Sequence, residues 1–357
     1  MSEPGASELG FVTARGTPRQ IGRALGEAGR EAVHKVLLHE SYWRAVTDPV
    51  HAGTVGMMAD ILKALFPPVW EELQGLAEGL GLPPELVMAW NCRGDLMSNV
   101  PDGCTTVQIP GGIGVIGHNE DGLPGFRGHA FVAEIAPDDG PAFMASCYPG
   151  SIPGHTFGAN AAGMAQAVNN LRLHPVAAHL PRMGLSRAVL ACETLDDALA
   201  LVAAHNDCGG FHMTLAQAGD ARMMSVEFGG GACSARQIET PAAHANHALH
   251  LGERAANQIV TDSSRDRQAR ATQMIADGIT DPFSILRDTG GAGLPIHRCA
   301  PDDPDHENTL ATALFRIEKS SVEWRLYDQT SKRPVIEGRW PRPQGGRRAT
   351  AEPAGFA

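Results

Sequence analysis

The chain has 357 residues, a hydrophobic fraction of 43% and a formal net charge of −11 at pH 7. These values predict a soluble globular protein with a substantial core, and they argue against nucleic acid as a main partner because no basic cluster is present. No apolar run approaches the roughly 18 residues of a membrane span, and residues 1–5 carry no signal-peptide pattern, so no membrane association is expected. Seven cysteines match neither a disulfide framework nor paired zinc ligands, which indicates a reducing, cytoplasmic setting.

The first hundred residues are predicted to be mainly α-helical. Thr17 has the position of a helix N-cap, with Pro18 at the first helical position and Gln20 completing a capping box. Apolar residues then recur at helical spacing as far as Val36. The same criterion predicts helices over residues 57–65, 70–80 and 84–91.

From Cys104 onward the pattern predicts mainly strands. Residues 104–109 and 113–117 flank Pro110-Gly111-Gly112 and predict a β-hairpin, which residues 117–122 close. Further strands are predicted over residues 130–135, 142–147, 165–169, 213–218, 312–317 and 322–327, and helices over residues 182–192, 194–205 and 264–277. Residues 341–357 are predicted to be disordered. Because no repeat or polar linker divides the chain, we expect one compact domain.

The junction Gly103–Cys104 joins the helical part to the first strand. If this peptide bond were cut, Cys104 would become the first residue of a new chain. Its α-amine would then lie beside its own thiol, so that one residue supplies both nucleophile and base. Both groups are usable near neutral pH, because model α-amines titrate near pH ~8 and free thiols near ~8.5.

Residues of two further types, one aspartate and three asparagines, could support a nucleophile at Cys104. Asp121 follows seventeen residues later, where the returning hairpin would bring its carboxylate close enough to hold the α-ammonium; the alternative is a plain Asp-Gly turn. Asn169 and Asn170 end a predicted strand, and Asn246 lies at a similar chain exit. Their neutral amides could donate to a developing oxyanion, although asparagine is also common at strand ends for purely structural reasons.

His244, His247 and His250 form an HxxHxxH string that suggests a metal site. On a helix such a string drifts around the axis, no carboxylate stands at a matching step, and no HExxH is present. We therefore predict no bound metal.

Several runs of residues, taken in order, carry a family resemblance. They are residues 16–22, Asp102-Gly103-Cys104-Thr105-Thr106, residues 117–121, residues 148–171, Asn246-His247 and residues 263–267. Between about residues 11 and 330, the chain resembles the cysteine N-terminal-nucleophile (Ntn) family that includes fungal isopenicillin-N acyltransferase and insect β-alanyl-amine hydrolases.

The resemblance implies an α+β fold, the αββα sandwich of two antiparallel sheets with outer helices. It also implies a precursor that cleaves itself into residues 1–103 and 104–357, the two fragments staying associated, with a core over residues 104–340. Carried over from the family, Cys104 is the nucleophile, Asp121 its organiser and Asn246 an oxyanion donor. Asn169, rather than Asn170, is expected to make a second contribution. Related enzymes also use a late arginine, but neither Arg316 nor Arg325 aligns with it.

The function expected from this reading is hydrolysis of the amide bond of a small N-acyl compound through a thioester, with no cofactor. Two alternatives remain, an acyl-CoA-dependent N-acyltransferase on the same scaffold and an unprocessed relative that only binds ligands. His118, Glu120 and Asn170 are candidates for substrate contacts. At the pocket mouth, Glu120 would favour an acyl group carrying an ammonium, such as β-alanyl; the alternative is a solvated turn residue.

Overall fold

The computed structural model describes residues 7–99, 103–176 and 178–341. Residues 1–5, residues 100–102 of the expected cleavage segment and residues 342–357 of the tail lie outside this range, so the expectations stated for them concern parts that are not described.

Ten α-helices lie within the described residues, two of them of five residues or fewer. They are α1 (Pro18–Lys35), α2 (Ser41–Val46), α3 (Ala52–Leu65), α4 (Pro67–Leu80), α5 (Pro84–Asn91), α6 (Arg93–Leu96), α7 (Arg182–Val189), α8 (Leu195–Ala204), α9 (Asp262–Ala276) and α10 (Pro282–Leu286). Short 3₁₀ turns occupy Leu37–His39, Pro49–His51, Pro124–Phe126 and Gly252–Ala256.

Fourteen strands are found in the same part of the chain. They are β1 (Gly10–Gly16), β2 (Gly103–Ile109), β3 (Gly114–Gly122), β4 (Phe131–Pro137), β5 (Phe143–Cys147), β6 (Phe157–Asn160), β7 (Met164–Asn170), β8 (Phe211–Gln217), β9 (Met223–Gly229), β10 (Ala232–Gln237), β11 (Ala242–His244), β12 (Asn308–Ile317), β13 (Val322–Asp328) and β14 (Ile336–Trp340).

The strands form two sheets that pack face to face. One has eight strands in the order β1-β4-β5-β6-β7-β8-β9-β10, and the other has six in the order β11-β2-β3-β12-β13-β14. Polar side chains connect them, since Thr106 Oγ1 donates to Asn169 Oδ1 at 2.7 Å and Gln108 Nε2 donates to Thr214 Oγ1 at 2.7 Å. Because side chains alternate along a strand, these contacts assign the even-numbered residues of β2 to the space between the sheets.

Helices cover the outer faces of both sheets. The helices α1, α7 and α8 pack on the side of the eight-stranded sheet, and α9 and α10 pack on the six-stranded sheet. A separate apolar cluster lies under α9 and α10 and includes Val107, an odd-numbered residue of β2, together with Ala271 and Ile285. The layers are therefore α, β, β and α, which confirms the predicted α+β sandwich.

Several local predictions are confirmed to within a few residues. Thr17 accepts from the Gln20 backbone nitrogen while the Gln20 side chain accepts from Thr17, so the capping box of α1 is complete. Thr194 caps α8 through Asp197. The helix predicted over residues 84–91 matches α5 at both ends.

Other elements differ from the predictions. The N-terminal part is not purely helical, because β1 pairs with β4 in parallel and so joins the larger sheet. The second hairpin strand continues through residues predicted to close the hairpin, and β3 ends only at Gly122. The short strands β6, β9, β10, β11 and β14 were not predicted.

No helix in the described ranges is long and apolar enough to cross a bilayer. All seven cysteines fall within these ranges and are free thiols.

The crossing of α1 and α4 depends on glycine. Gly22 of α1 lies against the backbone of Glu72, and Gly75 of α4 lies against the backbone of Arg19. A Cβ at either position would overlap a main-chain carbonyl oxygen of the opposite helix. Neither backbone can move aside as a flexible side chain could, so the two helices approach this closely only with glycine at both positions.

We expect Gly22→Ala to destabilise the protein by about 1–3 kcal/mol or more, because the added methyl group forces α1 and α4 apart. The matched control is Gly53→Ala in α3, where a Cβ meets nothing within 4 Å. That change should be neutral or stabilise by up to about 1 kcal/mol, the difference in helix propensity. Thermal and urea unfolding of the two variants would measure the contrast; equal midpoints would contradict it.

Candidate active site

The antiparallel pairing of β2 with β3 determines which residues meet at Cys104. Cys104 lies opposite Glu120, and Gly103 lies opposite Asp121. Directly opposed residues in a ladder project to the same face, so Cys104 and Glu120 both point between the sheets. The expected proximity of the returning hairpin is therefore found, but the residue whose side chain shares a face with Cys104 is Glu120.

Glu120 lies inside a strand and only 2% of its surface is exposed. Its placement in a turn, and the alternative of a solvated turn residue, were therefore wrong, whereas a contact of Glu120 with substrate stays a prediction. Cys104 Sγ lies 3.7 Å from Glu120 Oε2, the His118 Nε2 atom lies 3.1 Å from the same oxygen, and Tyr148 donates to Oε1 at 2.7 Å. His118 is fully buried, and burial lowers the pKa of its imidazole to about 3.

Asp121 projects toward the opposite face, where Thr309 Oγ1 donates to its Oδ1 at 2.6 Å. Its Oδ2 atom is buried and has no hydrogen-bond partner among the described residues. Gly103 lies between Asp121 and Glu307, and a Cβ there would overlap the Glu307 carboxylate. Asp121 thus lies beside the residue that precedes Cys104 and close to the expected scissile bond.

The backbone of Cys104 is held by two side chains from other elements. The Cys104 nitrogen donates to Asn246 Oδ1 at 2.9 Å, and Arg267 of α9 donates through Nη1 to the Cys104 carbonyl oxygen. Arg267 also donates to Asn246 Oδ1 at 2.7 Å and to Thr105 Oγ1 at 2.8 Å. Asn246 and Arg267, which also contact each other, therefore fix the backbone position of Cys104 in β2.

The Asn246 amide presents its oxygen, not its nitrogen, to Cys104. Its Nδ2 donates to the Asn170 carbonyl oxygen at 3.2 Å. The oxyanion role expected for Asn246 needs Nδ2, whereas the contact with Cys104 that the structure contains uses Oδ1.

The side chains of Asn169 and Asn170 contact different residues. Asn169 Oδ1 accepts from Thr106 and lies 3.0 Å from His212 Nδ1, while its Nδ2 donates to the His244 carbonyl oxygen. The Asn170 side chain accepts from Arg182 Nη1 at 2.7 Å. Asn169 is thus linked to Cys104 through three intervening side chains, and the backbone oxygen of Asn170 is linked to it through Asn246.

A cluster of buried charges surrounds this end of β2. Arg298 donates to Glu307 and to Ser263, which also accepts from Arg267, and Arg172 pairs with Glu307 at 3.3 Å. Burial raises the pKa of Glu307 to about 7 against the opposing charges of the arginines. Burial also lowers the pKa of Arg267, an effect that the negative charge of Asp121 opposes.

Arg267 is the main residue that the sequence analysis did not assign. It lies in the run of residues 263–267 quoted for the resemblance, so a signal was present, but only the fold brings α9 against β2. Arg316 and Arg325, the two late arginines considered, lie on exposed positions of β12 and β13, and Arg316 pairs with Glu318 at 3.2 Å. Neither arginine is one of the two side chains that hold the Cys104 backbone.

The histidine string is not helical and does not converge on one point. His244 lies in β11, stacks on His212 with ring centroids 3.5 Å apart and bonds to Glu227. His247 bonds to Ser264, and His250 bonds to Ser225 and Ser234. Among the described residues, ligand-type atoms do cluster within 4.8 Å at Cys104, His118 and Glu120. A thiol, an imidazole and a carboxylate could hold a zinc ion, but here they are bonded to one another.

The chain is similar in sequence to one known family and in structure to known proteins. The sequence pattern of the family described as acyl-coenzyme A:6-aminopenicillanic acid acyl-transferase matches residues 109–331, which is more than half of the chain and begins just after Cys104. No curated protein matches the sequence. Among solved structures, a variant of conjugated bile acid hydrolase from Clostridium perfringens is similar over 69% of this chain and 96% of its own, with 12% identity and a TM-score of 0.37. The chain belongs to the acyl-coenzyme A:6-aminopenicillanic acid acyl-transferase family of Ntn enzymes, a family of amidohydrolases and acyltransferases.

Proposed function

We propose that the chain cuts itself between Gly103 and Cys104, and that the new N-terminal Cys104 hydrolyses the amide bond of a small N-acyl compound. The observation that carries the proposal is the 2.9 Å hydrogen bond that the Cys104 nitrogen, near the start of β2, donates to Asn246 Oδ1. A nitrogen that is to act as a base beside its own thiol needs a fixed direction, and a buried side-chain acceptor supplies one.

In the self-cleavage step the Cys104 sulfur attacks the Gly103 carbonyl carbon, a carbon–sulfur bond forms and the Gly103–Cys104 carbon–nitrogen bond breaks. Water then hydrolyses the thioester, which frees the Gly103 carboxylate and restores the thiol. Arg267 holds the Cys104 carbonyl group, and the glycine before it leaves room beside Glu307 and Asp121.

In turnover the Cys104 α-amine accepts the thiol proton as sulfur attacks the substrate carbonyl. The leaving amine departs with that proton, and water cleaves the acyl thioester. Asn246 orients the α-amine through Oδ1 in this scheme, and Asp121 balances the charge of Arg267 close to the new amino terminus.

The two fragments would remain together without a covalent link. Residues 1–103 contribute β1 to the larger sheet, and Glu72 accepts from Arg187 through Nε at 3.0 Å and Nη2 at 2.8 Å. Asp95 accepts from the backbone nitrogens of Arg182 and Gly209. Glu72 and Asp95 are both buried in these contacts, so separating the two fragments would leave their carboxylates and the Arg187 guanidinium unpaired.

The second candidate activity is acyl transfer from coenzyme A. The family description itself names such a transfer, and an acyl thioester can be attacked by an amine as readily as by water. A panel of N-acyl amines and N-acyl amino acids, scored for free amine with and without acyl-CoA, distinguishes the two. The preference for ammonium-bearing acyl groups is not part of the proposal, because it relied on an exposed Glu120.

Intact-mass measurement of the purified chain tests the proposal directly. We expect two fragments that sum to the chain plus one water, with Cys104 at the start of the larger. Cys104→Ala should remain one inactive chain, because it lacks the attacking sulfur. Cleavage of that variant at the same bond would contradict self-cleavage, and an uncleaved wild-type chain would favour the ligand-binding alternative.

Substitutions at Asn246 distinguish a role of its acceptor Oδ1 from a role of its donor Nδ2. Asn246→Ala should lower kcat by about 10²–10³-fold, the usual cost of losing one positioned polar group at the reacting centre. Asn246→Asp keeps an acceptor for the Cys104 nitrogen but removes the Nδ2 donor. If Asn246 orients the amine, the Asp variant should retain far more activity than the Ala variant in fully cleaved protein. Equal losses would instead favour the oxyanion role.

Arg267→Lys is expected to reduce self-cleavage strongly, because lysine keeps the positive charge but cannot reach the Cys104 carbonyl, Thr105 and Asn246 together. Arg267→Met should in addition destabilise the fold by about 1–3 kcal/mol or more, since it leaves the buried Cys104 carbonyl oxygen, Thr105 Oγ1 and Asn246 Oδ1 without their common donor. Arg265→Met is the control on the same helix, where the side chain is 59% exposed. Cleavage and thermal unfolding of all three should be compared; normal cleavage in Arg267→Lys would remove this residue from the mechanism.

A further inference from the structure

A row of buried polar groups runs away from the thiol of Cys104. Sγ lies against Glu120 Oε2, Glu120 Oε2 against His118 Nε2, His118 Nδ1 against Thr106 Oγ1 at 2.9 Å, and Thr106 Oγ1 against Asn169 Oδ1. All five residues are at most 2% exposed. Neither His118 nor Thr106 takes part in the cleavage and turnover steps described above.

The positions of the protons in this row follow from its far end. Asn169 Nδ2 donates to the His244 carbonyl oxygen, so Asn169 Oδ1 is the atom that faces Thr106. The single hydroxyl proton of Thr106 is therefore donated to Asn169. Thr106 can only accept from His118, which places a proton on His118 Nδ1.

With Nδ1 protonated, the contact between His118 Nε2 and Glu120 Oε2 requires one more proton. A neutral imidazole presents a lone pair at Nε2, and a carboxylate presents only lone pairs, so the two would repel unless one proton lies between them. The pair thus holds one proton, either as imidazole with carboxylic acid or as imidazolium with carboxylate. The low pKa of His118 favours the uncharged form at rest.

The proposed function leaves one step without a base. Before cleavage the Cys104 nitrogen belongs to a peptide bond, and its hydrogen is donated to Asn246. A peptide nitrogen cannot accept the thiol proton, so the α-amine that serves in turnover does not exist when the chain cuts itself. Glu120 is in contact with Sγ in the uncleaved chain and can take this role.

We propose that the Glu120–His118 pair is the base that deprotonates Cys104 for self-cleavage, an inference that rests on the proposed function. The S–H bond breaks as an O–H bond forms on Glu120 Oε2, and the proton that Oε2 held passes to His118 Nε2. The products are a thiolate and an imidazolium, so total charge is conserved. After the thiolate attacks Gly103, the proton returns through Glu120 to the Cys104 nitrogen as the carbon–nitrogen bond breaks.

The same geometry explains why the transfer is coupled to attack. A lone imidazolium is disfavoured at this buried position, and the thiolate beside Glu120 supplies the compensating negative charge. The imidazolium therefore exists only while the thiolate does. Tyr148, which donates to the other oxygen of Glu120, orients the carboxyl group without taking part in the transfer.

The test uses the full chain, synthesised in a cell-free system so that cleavage can be followed from the intact precursor. We expect His118→Gln and Glu120→Gln each to slow cleavage by about 10²-fold or more, within the range for loss of a general base. The matched control is His244→Gln, which removes another buried histidine from a Glu–His contact, that with Glu227. It lies outside the proton path and should cleave at close to the wild-type rate.

A pH profile separates loss of a base from a disturbed fold. Glu120→Gln removes the carboxyl group that contacts Sγ, so the thiolate must form by loss of a proton to solvent, and cleavage of this variant should accelerate about tenfold per pH unit below the thiol pKa. The wild-type chain, which carries its own base, should depend much less on pH between pH 6 and pH 8.

Each other outcome overturns the inference. A wild-type cleavage rate in His118→Gln, or a wild-type pH profile in Glu120→Gln, would show that the pair is not the base. Equal slowing in His118→Gln and His244→Gln, with equal loss of thermal stability, would assign the effect to packing. An uncleaved wild-type chain would remove self-cleavage itself, and the inference with it, whereas normal wild-type cleavage with unaffected variants leaves the proposed function intact.

Discussion

The register between β2 and β3 is the constraint on which the candidate site depends. It sets Cys104 opposite Glu120 and Gly103 opposite Asp121. A shift of one residue would turn Cys104 toward α9 and α10, out of the space between the sheets, and would bring Asp121 to the thiol. The buried contacts on both faces, Thr106 with Asn169 on one side and Thr105 with Arg267 on the other, exclude that shift.

This register gives the two faces of β2 separate tasks. On the inner face the side chain of Cys104 meets the carboxyl group of Glu120, which in turn contacts His118. On the outer face its backbone meets Arg267, Asn246 and a compensated cluster of arginines and acids. The thiol and the arginine that fixes its backbone thus lie on opposite faces of one strand, where the positive charge of Arg267 still interacts with Cys104 through space.

Much of the fold could be predicted from local patterns, because capping, helical periodicity and Gly-Pro turns are written in neighbouring residues. Thr17, Thr194 and the helix α5 are examples. The strand β1 could not, since it pairs with β4, more than a hundred residues away, and short strands such as β9, in which all seven residues are buried, lack alternation of apolar and polar residues. At the site, Cys104 and Asn246 were identified from the sequence and lie in contact. The contacts of Glu120 and Arg267 could not be foreseen, because one depends on strand length and the other on helix docking.

In a chain that has cut itself as proposed, the parallel pairing of β1 determines how firmly the two fragments stay together. Because β1 runs alongside β4 at the border of the eight-stranded sheet, residues 1–103 are woven into the larger sheet as well as packed on it. Withdrawing them would bare a strand edge and the apolar surface beneath α1, a combination that favours aggregation over recombination. Cleaved molecules in a mixture would therefore not exchange their amino-terminal fragments. Each molecule would stay associated with the fragment from its own precursor.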